Sequence, residues 1–121
     1  MVNENVKVTK QQYYDLLVKT SEAGGFPSVY IHPVDHVMTG CAYLARDGKK
    51  CVVGLLMPDG HPAQQSGHYF RTLLERTPDL ANIIPEGMKA DDLHDLQTIH
   101  DSMKHGWNHE EFLQRIQPIF A

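Results

Sequence analysis

The chain has 121 residues, of which 41% are hydrophobic and 21% charged, and a formal net charge of −4 at pH 7. That size and balance fit one globular domain over residues 1–121 with a single core, and the acidic balance excludes a nucleic-acid backbone binder, which needs clustered Lys and Arg. No apolar run reaches membrane-helix length and Met1-Val2-Asn3-Glu4-Asn5 lacks a signal-peptide core, so we expect a cytoplasmic protein with no membrane partner and with reduced cysteines.

The first element is a helix over about 9–23. Thr9 and Gln12 have the spacing of a capping box, and Val8 and Tyr13 that of a hydrophobic staple. Tyr13, Leu16, Leu17 and Thr20 recur on one helical face, and Gly24-Gly25 with Pro27 ends the run. Ser28-Val29-Tyr30-Ile31-His32-Pro33 reads as a short edge strand stopped by Pro33. The stretch from Gly40 to Gly60 then reads as a β-hairpin at about 39–56. Asp47-Gly48 forms its turn, Cys41 and Cys51 lie one on each strand, and Pro58-Asp59-Gly60 stops it. Lys49-Lys50 sits solvated at the hairpin tip.

Beyond a polar loop to Gly67, Ser66 is placed to cap a helix over 67–76 carrying Phe70, Leu73 and Leu74. Thr77-Pro78 opens a short turn through Leu80, Ile83 and Ile84, and Pro85-Glu86-Gly87 breaks it. A helix over 91–105 aligns Leu93, Leu96, His100 and Met103, with Ile99 beside them and Gly106 at its end. The last helix, 108–117, repeats the capping logic with Asn108 and Glu111, a Trp107–Phe112 staple, and Phe112, Leu113 and Ile116 toward the core. The expected fold class is therefore α+β: a small single domain with a β-hairpin packed against four or five short helices.

Chemistry is concentrated at the two cysteines and in helix 91–105. A two-residue loop at Asp47-Gly48 puts Cys51 on the opposite face from Cys41, and a loop one residue longer puts both on one face. The pair could supply a nucleophile or two metal thiolates, or simply two small apolar side chains, and we expect buried reduced thiols without metal. Among the eight histidines (His32, His36, His61, His68, His94, His100, His105 and His109) there is no HExxH motif. A structural zinc held by Cys41, Cys51 and two histidines is the metal alternative. His100 falls on the apolar face of its helix and precedes Asp101. Its ring should point inward, near Cys41, Tyr43 or Cys51, and it is the general-base candidate if Cys51 is a nucleophile.

Cys41, Tyr43, Gly48, Cys51, Val53-Gly54 and Met57-Pro58-Asp59, followed by Leu96-Gln97-Thr98-Ile99-His100-Asp101, resemble a group of small uncharacterised proteins encoded by phages and prophages. The resemblance spans roughly the last two-thirds of the chain. It implies an accessory protein of counter-defence or host takeover, working in the host cytoplasm. By analogy with such proteins, we expect a non-enzymatic binder of a host protein or of a small nucleotide-like ligand, with no cofactor. Tyr43, Cys41 and His100 are its ligand-binding candidates. The alternative is a small enzyme using Cys51, His100 and Asp101, or a metal held by cysteines and histidines.

Overall fold

Helix α1 (Lys10–Glu22) starts where its capping residues direct: Thr9 Oγ1 accepts the Gln12 N–H at 3.1 Å, and Gln12 Oε1 accepts the Thr9 N–H at 3.0 Å. The computed structural model describes residues 8–31, 38–45, 47–66, 69–103 and 106–121. His32, Pro33, His36, His68 and His105, all named above, lie outside the described residues. Tyr13 and Leu17 carry the buried face of α1 as the spacing requires. Helix α2 (Phe70–Arg76) begins later than expected, and Ser66 does not cap it. Ser66 instead ends a 3₁₀ turn, Pro62–Gln65, and the cap of α2 comes from far along the chain, as described below. Pro78 does open a 3₁₀ turn, Pro78–Ile83.

Helix α3 (Ala90–Ser102) is started by Asp92, whose Oδ2 accepts the Lys89 N–H at 2.9 Å. Helix α4 (His109–Phe120) is capped by Asn108 Oδ1 on the Glu111 N–H at 2.9 Å, while the Glu111 carboxylate lies 3.5 Å from Arg115 rather than closing a full capping box. α4 also continues through Pro118, past its expected end.

The fold is helical, which corrects the α+β expectation, and the described residues between 39 and 56 form no β-hairpin. Its turn does form. Ala45 N–H bonds the Lys49 carbonyl at 2.8 Å, Asp47 Oδ1 accepts the Lys49 N–H at 3.0 Å, and Gly48 has the φ of +88° that the turn demands. The flanks do not pair as strands. Cys51, Val52 and Val53 are all fully buried, whereas a strand lying on helices with one face would expose every second residue. At Gly54 the chain turns into a 3₁₀ segment, Gly54–Leu56, pressed onto the backbone of Tyr43. A Cβ at Gly54 would lie 2.0 Å from the Tyr43 carbonyl oxygen, so this approach needs glycine. Residues 38–41 pair with an earlier segment instead. β1 (Val29–Ile31) and β2 (Met38–Cys41) form an antiparallel ribbon in which Val29 faces Cys41 and Ile31 faces Met38. Among the described residues this ribbon is the whole of the sheet structure.

The core gathers Tyr13 and Leu17 of α1, Phe70 and Leu73 of α2, Leu93 and Leu96 of α3, and Phe112 and Ile116 of α4 around Tyr43 and Val52. α3 lies against α2, α4 and β2, and α1 against α4. Ser21 ties the α3–α4 connection to α1: its Oγ accepts Trp107 Nε1–H at 3.1 Å and lies 2.8 Å from His109 Nδ1. No helix among the described residues is long and apolar enough to cross a membrane.

Candidate functional site

His100 lies on the inner face of α3, fully buried as its helical position requires. Its Nε2 accepts the Ser28 N–H at 3.0 Å, so the ring proton sits on Nδ1, which faces Asp101 Oδ1 at 3.0 Å. The ring stands edge-on to Phe26 at 5.7 Å and against Trp107 at 5.5 Å. Its direct partners are thus Ser28, Asp101, Phe26 and Trp107, and Ser28 is bonded in turn to Ala42, between the Cys41 and Tyr43 named from sequence. Ser28 is the other half of this joint. Its Oγ lies 2.7 Å from the Ala42 carbonyl and 3.0 Å from that of Lys49, and its own carbonyl accepts the Ala42 N–H at 3.0 Å. One histidine and one serine thus lock α3, the segment before β1 and the Asp-Gly turn together. Both ring nitrogens are engaged, so His100 is not poised as a general base.

Cys51 is fully buried and disulfide-bonded, which corrects the expectation of reduced thiols. The sequence holds one other cysteine, Cys41, whose Cα closes β2 opposite Val29 and whose side chain lies outside the described part of the structure. Cys51 Sγ also takes the Gly54 N–H at 3.4 Å, fixing the 3₁₀ turn. A disulfide sulfur carries no thiolate, and without one it neither attacks an electrophile as a nucleophile nor ligates zinc. Among the described residues no group of three or more His, Cys, Asp or Glu side chains could hold a metal ion.

The face of α3 toward α2 and Tyr43 has a different character. Gln97 is 1% exposed and fully used: its Oε1 accepts the Phe70 N–H at 2.9 Å, supplying the cap that α2 lacks locally, and its Nε2 donates to the Tyr43 hydroxyl at 3.0 Å. Burial pushes the Tyr43 phenol up to about 12 against the opposing pull of the Gln97 hydrogen bond, with Asp101 and Tyr69 adding to the rise. Tyr69 is half exposed, and burial first, then the charge of the Asp101 carboxylate and the hydrogen bond its hydroxyl donates to that carboxylate, raise its phenol as well. Its ring stands edge-on to His94 at 6.0 Å. Tyr43, Tyr69 and Asp101 therefore lie near enough beside α3 to act on one another electrostatically. Among the described residues, His94 Nδ1 on the same helix is buried without a hydrogen-bond partner.

The structure thus brings together Tyr43 and Asp101, both singled out from sequence, and separates them in role from His100 and Cys51. Tyr69 and His94 were not identified as site residues. Gln97 carried a signal, as a lone amide on the apolar face between Leu93 and His100; Tyr69, outside any periodic pattern, carried none. A groove of about 640 Å³ along Tyr14, Val18, Lys19 and Leu113 lies elsewhere, and no unsatisfied buried atom faces it. No family model, curated protein or solved structure matches the chain.

Proposed function

We propose that this chain is a non-enzymatic binding protein of the phage accessory type its motifs resemble, engaging a host target through the cluster of Tyr43, Tyr69 and Asp101. The observation that carries this reading is the pairing of a half-exposed tyrosine with a largely buried carboxylate: the Tyr69 hydroxyl donates to Asp101, whose Oδ1 also faces His100 Nδ1. A tyrosine hydroxyl and a carboxylate paired at the surface edge of a core are polar groups able to exchange their mutual bond for one to a partner. The enzymatic alternative through Cys51, His100 and Asp101 loses support, because the disulfide and the Ser28 bond occupy its nucleophile and its base.

The target is a host protein or a small nucleotide-like ligand. The host cytoplasm is the compartment proposed with it. The Cys51 disulfide pulls the other way, since cytosolic pools keep thiols reduced. A free-thiol count on protein quenched directly from cells decides the compartment. The binding role is tested by capture from a lysate of the bacterial host with the wild-type chain and with Tyr69→Ala. Specific capture that the substitution abolishes supports the reading. Capture that is unchanged by it overturns the assignment to this cluster.

A further inference from the structure

The C-terminal end of α1 and the Asp47-Gly48 turn border one cleft of about 520 Å³. Lys19, Lys49 and Lys50 line it, and among the described residues Asp47 is its one lining carboxylate. That balance is the reverse of the whole chain, whose net charge is −4. Asp47 is turned back onto its own turn, where Oδ1 accepts the Lys49 N–H at 3.0 Å. Lys50 Nζ is held by Asp59 at 2.9 Å. Lys19 and Lys49 are exposed, and among the described residues neither is paired with a carboxylate.

A helix C-terminus repels anions through its free carbonyls. Here they are taken up: the N–H groups of Ala23, Gly24 and Gly25 bond the carbonyls of Lys19, Ser21 and Thr20 at 3.0, 3.1 and 2.8 Å. Glycine permits this closure, since a Cβ at Gly25 would lie 2.6 Å from Thr20 Cγ2. Gly24 and Gly48, at φ of +79° and +88°, have open space where a side chain would stand. The backbone of both turns is therefore open to close approach by a ligand, and Leu55 and Ala23 add an apolar wall.

Two unpaired ammonium groups select an anion, and lysine binds phosphate as a compact point charge. A cleft lined by one sign of charge also concentrates its counter-ion. The volume suits a small organic molecule rather than a bare ion. We infer that this cleft is a second binding site, apart from the cluster of Tyr43, Tyr69 and Asp101, and that it takes a small phosphate monoester. The phosphoryl dianion lies between the ammonium groups of Lys19 and Lys49, and the organic part rests against Leu55 and Ala23. This site stands whether or not the cluster engages a host protein.

The test uses the full chain and four probes: adenosine 5′-monophosphate, ribose 5-phosphate, adenosine and inorganic phosphate. Binding is read from the backbone amide resonances of Gly24 and Gly48, which line the cleft. Both monoesters should shift them saturably, about tenfold more tightly than adenosine or inorganic phosphate. Lys19→Gln and Lys49→Gln should each weaken the monoesters about fivefold or more while keeping the melting temperature, because both side chains are exposed and unpaired. Lys10→Gln, which removes the same charge from α1 outside this cleft, should bind as wild type. Tighter binding of the nucleotide assigns the site to nucleotides, and equal or tighter binding of ribose 5-phosphate assigns it to sugar phosphates; both support it. Adenosine or inorganic phosphate binding as tightly as the monoesters overturns the inference. So does the absence of a saturable shift with either monoester at about 10 mM, or a loss in Lys10→Gln equal to that in the cleft variants.

Discussion

Replacing His100 with alanine removes three things at once. The Ser28 N–H, on a residue 1% exposed, loses its acceptor; an unpaired buried donor costs about 1–3 kcal/mol. The space of the imidazole between Phe26 and Trp107 empties, and a cavity of this kind adds about 2 kcal/mol because the surroundings relax only in part. Asp101 Oδ1 loses its donor as well, though that side chain retains some access to water. The sum is about 3–5 kcal/mol, a large share of the ~5–15 kcal/mol that holds a domain together. For a chain this size the melting temperature should fall by at least about 10 °C. Urea unfolding followed by the single tryptophan, Trp107, reads the change directly, because that ring lies 5.5 Å from His100. His100→Gln, which offers an oxygen near the place of Nε2, should recover about 1 kcal/mol or more. A His100→Ala protein within about 1 kcal/mol of wild type, or a glutamine variant no better than alanine, refutes the structural role.

Three further outcomes are expected. Cys51→Ala should lower stability by about 2.5–3 kcal/mol for the loss of a cross-link closing a loop of roughly ten residues, and native wild-type protein should label no thiol under denaturing, non-reducing conditions; two labelled thiols contradict the disulfide. Gly54→Ala should cost at least about 3 kcal/mol or prevent folding, since its Cβ meets the Tyr43 carbonyl at 2.0 Å; urea unfolding indistinguishable from wild type shows that the close approach is not required. In alkaline titration followed at 295 nm, Tyr43 should resist ionisation until about pH 12, against an ordinary value of 10.0, and burial pushes Tyr13 up further still. Below pH 10 both folded and unfolded chains keep these protons, so stability is whole there; it falls as pH rises toward 12, where only the unfolded chain ionises freely. Ionisation of all five tyrosines near pH 10 in protein that stays folded contradicts their burial.

The helices were legible because their signals are local. Thr9 with Gln12, Asn108 with Glu111, and the Leu93–Leu96–His100 face each lie within a few turns of chain, and backbone geometry answers to them wherever the rest of the protein goes. The hairpin was not, because strand pairing is decided at longer range. The Asp47-Gly48 turn formed as its residues direct, but residues 38–41 found their partner in 29–31. The apolar residues Cys51, Val52 and Val53 signalled burial rather than strand, and a short apolar run does not distinguish the two. α2 shows the same limit, since its N-terminal donor is satisfied by Gln97, a residue 27 positions away that no local capping rule reaches. At the site, Tyr43, His100 and Asp101 were identifiable as chemically capable residues. What divided them was invisible in sequence: Ser28, distant along the chain, takes up His100, while Asp101 meets the half-exposed Tyr69.

That division rests on a single substitution. Asp101→Asn should be measured for thermal stability and for capture of the host partner on the same preparation. A binding role at Asp101 predicts a melting temperature close to wild type together with loss of capture, because His100 keeps an acceptor while the cluster loses its charge. A protein that captures its partner as well as wild type, or that loses capture only in proportion to lost stability, contradicts it.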